Sequence, residues 1–291
     1  MILKPIRPIG ARAPLIRGAV LAGISISAAL ALVTTSWRAS RAEPAVARPS
    51  VTAPFKAPTA ADYPDFSGNR ALVGQSGPPP RTPDGRPDLT GFWEGRGIDR
   101  AFFASVGGKP PFTPAGQAAY AYNMTSSYNP EGLCLFAGIP RASISAIPFE
   151  IIETPKRVAF LYQLMNTFRS IPVDGRPHDP DADPTYFGEG IGRWDGDTFV
   201  IDSVNFKATQ SWLDDDAHPH SDAMHTVERW TRIDADHLAH EVTVTDPKFY
   251  TRSWTYKRIF VALPKGVELA EYACMENNRD LANMRFGPNT D

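Results

Sequence analysis

Hydrophobic and polar side chains alternate along much of the second half of the chain, with the period of two that is typical of β-strands. In residues 239–245, His240, Val242 and Val244 share one side, and charged or hydroxylated residues share the other. A sheet with one buried face produces this alternation. On the same grounds the sequence predicts strands at residues 91–94, 149–154, 157–165, 168–173, 191–194, 198–204, 225–233, 238–245, 253–263 and 267–274.

The connections between these strands are mostly short. Asp195-Gly196 predicts a type I′ hairpin turn, because such a turn needs positive φ angles. Short connections imply antiparallel pairing, since parallel strands need long crossovers. One short helix is predicted at residues 113–122, where Thr113 is the expected N-cap and Pro114 the first helical residue.

The predicted strand at residues 252–260 has a largely aromatic face, formed by Trp254, Tyr256, Arg258 and Phe260. We expect this face to point into the core. Eight or nine antiparallel strands with one coherent inner face favour a closed or nearly closed barrel, which removes exposed edges. The predicted fold class is mostly β: a single antiparallel β-barrel over residues 89–283, with one short helix. A long segment at residues 95–147, which we call the excursion, separates the first strand from the second. The alternative is a two-sheet β-sandwich.

The first 42 residues differ in composition from the rest. They carry six basic and no acidic side chains, and residues 18–33 are an uncharged apolar run. Such a segment is typical of a secretory signal peptide, and Ser40-Arg41-Ala42 suits cleavage before Glu43. The alternative is an uncleaved inner-membrane anchor through residues 18–37. Residues 43–88 are rich in Pro and Ala and are predicted to be a linker, and residues 284–291 a C-terminal tail.

The charge balance follows from this division. The whole chain has a formal charge of -2, but the part after residue 42 has 24 basic and 32 acidic residues, a balance of -8. An acidic domain without a basic cluster is a poor partner for nucleic acid. We therefore predict a periplasmic or extracellular protein, or one anchored in the inner membrane and facing the periplasm.

The chain has two cysteines, Cys134 and Cys274. Disulfides persist in exported proteins, so these residues are predicted to form one. The alternative is two separate buried thiols.

Several blocks of the sequence resemble a family of exported bacterial proteins that is largely uncharacterised. The blocks include PDGRPDLTGFW, GRWDGDTFVIDSVNF and HPHSDAMHTVER, and the resemblance spans about residues 79–283. It implies export and a single domain, and no activity. In addition, Gly91-Phe92-Trp93 is similar to the G-x-W of the first lipocalin strand. That similarity implies a calycin-like barrel that holds apolar ligands, although the excursion at residues 95–147 departs from the lipocalin pattern.

The densest polar cluster lies at residues 212–225 and contains three of the six histidines. If residues 217–221 are extended, His218 and His220 point the same way and form a divalent metal site that His225 or Asp222 completes. Without a metal, His220 or His225, oriented by Asp222 or Glu228, would act as a general base. The third interpretation is a polar loop whose Asp and His residues cap turns.

A second group of candidates lies on predicted inner faces. Arg169 alternates with Ile171 and Val173, so it either clamps a ligand carboxylate or pairs with a structural acid. Arg141 has the same two interpretations. The ligand-binding residues predicted with these two arginines are Tyr162, His240, Trp254 and Tyr256.

Motifs of serine hydrolases, phosphate loops and zincins are absent from the sequence. The first functional prediction is therefore an exported barrel that binds a small apolar or aromatic molecule in its interior, with no cofactor required. The second is an acid/base or metal-assisted isomerase, lyase or hydrolase that uses the His/Asp cluster. The third is an envelope-tethered structural or assembly subunit.

Overall fold

The structure is a computed structural model, and it describes residues 76–95, 102–276 and 278–279. The predicted signal peptide or anchor (1–42), most of the predicted linker (43–75) and the predicted tail (284–291) lie outside the described residues. Among the helices that are described, none combines the length and the apolar character needed to cross a membrane.

Nine strands form one antiparallel sheet that curls into a nearly closed barrel. In chain order they are β1 (Gly91–Glu94), β2 (Phe149–Glu153), β3 (Arg157–Tyr162), β4 (Thr167–Pro172), β5 (Glu189–Asp195), β6 (Thr198–Val204), β7 (His225–Arg232), β8 (His237–Thr245) and β9 (Trp254–Ala262). Hydrogen-bonded neighbours follow the order β4-β3-β2-β1-β9-β8-β7-β6-β5. The predicted antiparallel barrel is confirmed, and the sandwich is not formed.

Alternate residues of each strand point into the barrel and fill it with rings. Trp93, Trp230 and Phe260 are fully buried, as the period-two pattern of these strands predicts. The ring of Phe149 lies 4.9 Å from that of Phe260 and 5.8 Å from that of Trp230, measured between centres. These closely packed aromatic side chains fill the middle of the barrel.

The two ends of the sheet, β4 and β5, meet without a backbone ladder among the described residues. They approach through Ile171 of β4 and two glycines of β5. A Cβ at Gly190 would lie 2.8 Å from Ile171 Cδ1, and one at Gly192 would lie 2.8 Å from Ile171 Cγ2. Only glycine leaves room for this approach. We call this place, where β4 faces β5 without hydrogen bonds, the seam.

The excursion between β1 and β2 contains both α-helices, α1 (Pro114–Ser126) and α2 (Arg141–Ile144). Thr113 caps α1, since its hydroxyl oxygen accepts from the backbone N–H of Gly116 at 3.1 Å. The cap is the predicted one, but the helix continues four residues beyond the predicted end. Short 3-10 helices lie at Ala104–Val106, Pro130–Leu133 and Leu164–Asn166.

Two local predictions are wrong. Residues 267–274 form no strand, because β9 already pairs with β1 and β8 and offers this segment no free edge. Its backbone bonds to side chains instead, as when the Ala270 N–H donates to Gln163 Oε1 at 2.9 Å. The hairpin turn consists of Gly196 and Asp197, and only Gly196 has a positive φ (58°), so it is not of type I′.

The disulfide between Cys134 and Cys274 is present, as predicted. It joins the excursion to the segment after β9 across 140 residues of sequence. The last part of the predicted linker also contacts the barrel. Ser76 donates a hydrogen bond to Asp234 at 2.7 Å, and Arg81 donates two to Asp197 at 2.7 and 3.0 Å.

Candidate functional site

A cavity of about 540 Å³ lies at the seam, between β4 and the segment that leads into β5. β4 contributes Phe168, Arg169 and Ile171 to its lining, and the other wall contributes Tyr186 and Gly190. The cavity exists because the two ends of the sheet are not hydrogen-bonded to each other, which leaves space between them for side chains. We call this cavity the seam pocket.

Aromatic rings form the rim of the seam pocket. Phe168 is 68% exposed, because it alternates with the inward-facing Arg169 on the last strand of the sheet. Phe136 is 46% exposed and packs edge-on against Tyr186, with 5.8 Å between ring centres. Large exposed rings beside a cavity are typical of a binding site for an apolar group.

The charged groups of the seam pocket are both cations. Lys207 lies at its rim, with Nζ 5.0 Å from the centre of the Tyr186 ring, and Arg169 lies on the inner side. The lining contains no carboxylate, and no acid among the described residues forms an ion pair with Lys207. The pocket therefore favours a neutral or negatively charged ligand.

Arg169 connects the pocket to a polar group inside the barrel. Its Nη1 lies 2.8 Å from Glu228 Oε1, and its Nη2 donates to Ser203 Oγ at 3.2 Å. Burial alone would raise the pKa of Glu228, but the positive charge of Arg169 and the contact with His240 hold that pKa below its ordinary value. The structure thus contains the ion pair that was one of the two predictions for Arg169, and Arg169 also lines a cavity.

Two further predicted ligand-binding residues belong to this buried group. His240 Nε2 lies 3.3 Å from Glu228 Oε2, and the His240 ring stacks on Trp230 with 3.8 Å between centres. Burial lowers the pKa of His240, so its ring is neutral. Burial also raises the pKa of Tyr162, an effect that Arg169 opposes and the charge of Glu228 strengthens. Tyr162, Arg169 and His240 therefore belong to one buried group around Glu228. The sequence pattern alone did not indicate that these three residues lie together.

The other three predicted ligand-binding residues lie elsewhere. Trp254 and Tyr256 are buried inside the barrel and covered by Phe102, whose ring centre lies 4.5 and 5.4 Å from theirs. Arg141 is buried at the start of α2. Its Nε lies 2.8 Å from Glu131 and its Nη2 lies 2.7 Å from Asp215. Arg141 therefore forms ion pairs with two acids of the chain, which was one of the two predictions for it.

The residues predicted for catalysis or metal binding are not brought together. His218 Nδ1 lies 2.6 Å from Asp214, and its ring stacks on Tyr120. Asp222 pairs with Lys248 at the surface. In the part of the chain that the structure describes, no three His, Cys, Asp or Glu residues are placed to hold a metal ion. The predicted metal site of His218, His220 and His225 is therefore not formed.

His225 belongs to a cluster that the sequence analysis missed. His225 Nε2 and His178 Nε2 lie 3.0 and 2.9 Å from the same oxygen of Asp202, and His178 Nδ1 lies 3.0 Å from Glu189. Burial alone would raise the pKa of Asp202, but the histidines keep it below its ordinary value. These residues come from β5, β6, β7 and the segment before β5, so sequence proximity gave no signal.

A signal for the seam pocket itself was present in the sequence. Glycine occupies every second position in Gly188-Glu189-Gly190-Ile191-Gly192. Glycines on one face of a strand indicate that something approaches that face closely. Here the face is the one that meets β4, beside the cavity.

No protein-family model, curated protein or solved structure matches this chain. The resemblance to a family of exported bacterial proteins, and the similarity to the first lipocalin strand, therefore stay predictions.

Proposed function

We propose that the protein binds a small, largely apolar molecule in the seam pocket, and that an acidic group of this molecule pairs with Lys207. The observation that carries the proposal is a cavity of about 540 Å³ with aromatic rings at its rim and no carboxylate in its lining. Binding cavities in proteins are mostly apolar, with a few polar groups that orient the ligand.

The middle of the barrel is a less suitable place for the ligand. Trp93, Trp230 and Phe260 occupy it, and a ligand would have to displace closely packed rings. The seam pocket is already open, and its inner side reaches Arg169. The proposed site therefore differs from the predicted one, which lay inside the barrel.

The residues predicted for acid/base catalysis do not form one group. His220, His225 and Asp222 contact different partners, and Asp222 is paired with Lys248. General acid/base chemistry needs its groups within reach of one substrate atom. The third prediction, an envelope assembly subunit, depends on residues 18–37, which lie outside the described residues.

We also propose that the chain is exported and cut before Glu43. The disulfide supports an oxidising compartment, and the basic and apolar composition of residues 1–42 supports a signal peptide. N-terminal sequencing of protein from the cell envelope tests this. A start at Glu43 is expected, and a start at Met1 would instead support the anchor.

Calorimetric titration with decanoate tests the binding proposal, with decanol as the neutral probe. We expect saturable binding of decanoate, and about tenfold or greater loss in Phe168→Asp, since a charge replaces an apolar contact. Ile152→Asp is the matched control, because Ile152 is also partly exposed but lies on β2.

A second pair of variants tests the acidic group. Lys207→Glu is expected to weaken decanoate and to leave decanol unchanged, whereas the exposed Lys156→Glu changes neither. Absence of binding by both probes, or equal loss in Phe168→Asp and Ile152→Asp, would contradict the proposal.

A further inference from the structure

A second cavity, of about 600 Å³, lies between α1 and residues 208–212. Its lining includes Tyr122 and Asn123 of α1, Gln210 and Trp212 of the facing segment, and His220. We call it the α1 cleft. It shares no lining residue with the seam pocket, so its chemistry is independent of the function proposed above.

His220 provides a hydrogen-bond acceptor in the α1 cleft. Its side chain is buried, with 3% exposure, and Nδ1 lies 3.2 Å from the backbone oxygen of Ser221. Because a carbonyl oxygen only accepts, Nδ1 carries the proton. Burial lowers the pKa of His220, so the ring is neutral and the lone pair is on Nε2. No described residue donates a hydrogen bond to Nε2.

The lining is mixed: its polar groups other than His220 are uncharged, and they lie among apolar and aromatic residues such as Leu133 and Phe249. Serine and threonine hydroxyls, Asn123 and Gln210 contribute to it, and neither an acid nor a base other than His220 is among the lining residues. Asn123 Nδ2 donates to the oxygen of Ala217 at 3.0 Å, which leaves the amide oxygen to accept from a ligand. Within the described part of the chain, the Gln210 side chain makes no hydrogen bond. A cleft of this kind offers many hydrogen bonds and no ion pair.

An aromatic ring completes the α1 cleft. Tyr122 is 61% exposed although its ring lines the cavity. An exposed ring beside hydroxyl and amide groups fits a ligand that has both an apolar face and hydroxylated edges. A sugar ring has this character, since its C–H groups form a face and its hydroxyls lie around the edge.

We propose that the α1 cleft binds an uncharged, polyhydroxylated molecule, a neutral saccharide unit. Its C–H face packs against Tyr122, and one hydroxyl donates to Nε2 of His220. A site that forms hydrogen bonds to hydroxyls discriminates strongly against analogues that lack them, because its buried polar groups would then be unpaired.

Saturation-transfer NMR and calorimetry on the full chain test this proposal. The probes are glucose, galactose, mannose, N-acetylglucosamine, cellobiose and maltose, with glucuronate and glucosamine as charged counterparts. We expect saturable binding of at least one neutral sugar, and about tenfold weaker binding of the charged counterparts. Burial lowers the pKa of His220, although the Ser221 carbonyl and the charge of Asp246 act to raise it. Binding should weaken as the pH falls through that pKa, since Nε2 then becomes a donor.

Tyr122→Ala and Gln210→Ala change exposed positions, so they keep the fold, and each is expected to weaken the sugar about tenfold. Phe168→Ala, an exposed ring in the seam pocket, is the matched control and leaves sugar binding unchanged. His220→Phe keeps a ring and removes the hydrogen-bond acceptor Nε2, so this variant is also expected to bind the sugar more weakly. If no neutral sugar saturates the protein, or if Tyr122→Ala and Gln210→Ala bind as tightly as the wild type, the proposal is wrong. Neither result bears on decanoate binding at the seam.

Discussion

Arg169 and Glu228 form an ion pair inside the barrel, 2.8 Å apart, with both side chains at most 2% exposed. The pair links β4, at one end of the sheet, to β7, on the other side of the seam. Each charge is tolerated in the interior because the other is present. This pair is the point at which the seam pocket meets the buried polar group.

Removal of one partner of this pair should therefore cost more than removal of both. Glu228→Gln leaves the Arg169 charge buried without a counter-charge, which is expected to lower the free energy of unfolding by about 3–5 kcal/mol. The double variant Arg169→Met, Glu228→Leu should lose much less. Urea denaturation of the wild type, Glu228→Gln and the double variant measures the difference, and a loss in the double variant as large as that in Glu228→Gln would contradict the prediction.

Acidification should destabilise the protein below about pH 6.5. Burial lowers the pKa of both His220 and His240, whereas in the unfolded chain they titrate near 6.5. The unfolded state then binds more protons, so stability is complete above pH 6.5 and falls as the pH drops toward the lowered values.

Urea midpoints of the wild type and of His240→Gln, measured between pH 8 and pH 5, test this prediction. The wild type should lose stability across this range, and the variant should lose less. Identical pH profiles would show that His240 does not contribute.

The close approach at the seam predicts a specific rescue. A Cβ at Gly190 would lie 2.8 Å from Ile171 Cδ1, so Gly190→Ala is expected to cost about 1–3 kcal/mol. Ile171→Val removes that Cδ1 atom, and the cost of Gly190→Ala should be smaller in this background. A double-mutant cycle by thermal unfolding measures the coupling, and an unchanged cost would mean that β4 and β5 are further apart at this point.

The disulfide is expected to stabilise the fold by about 3–5 kcal/mol, because it closes a loop of 140 residues. The variant Cys134→Ser, Cys274→Ser should show this loss in urea denaturation. The wild type under reducing conditions should match the variant. If reduction leaves stability unchanged, the loop is not constrained by this bond.

Much of the fold could be predicted from local patterns. The alternation in residues 252–260 gave the inward faces of Trp254, Tyr256 and Phe260, and the position of Arg169 beside Ile171 gave its inward orientation. Its partner Glu228 could not be assigned, because the contact crosses the barrel interior and depends on how the strands are arranged. A period-two pattern fixes which side a residue faces and leaves its neighbour on the opposite wall undetermined.

The predicted site at residues 212–225 shows the opposite problem, because residues that are close in sequence do not lie together in the fold. His218, His220 and His225 are close in sequence, but the chain turns at Ala217, whose φ is 64°, and each ring finds a different partner. His218 pairs with Asp214, four residues before it, and His225 pairs with Asp202 of the neighbouring strand. Local density of polar residues was therefore a poor guide to a shared site.

The central claim is that the seam pocket binds a small apolar acid, and amide chemical-shift mapping with decanoate tests it most directly. Saturable shifts are predicted to be confined to Phe136, residues 166–171 and 184–190 and Lys207, with no shift around Tyr122 and Gln210. Shifts centred elsewhere in the barrel, or no shift at saturating decanoate, would contradict it.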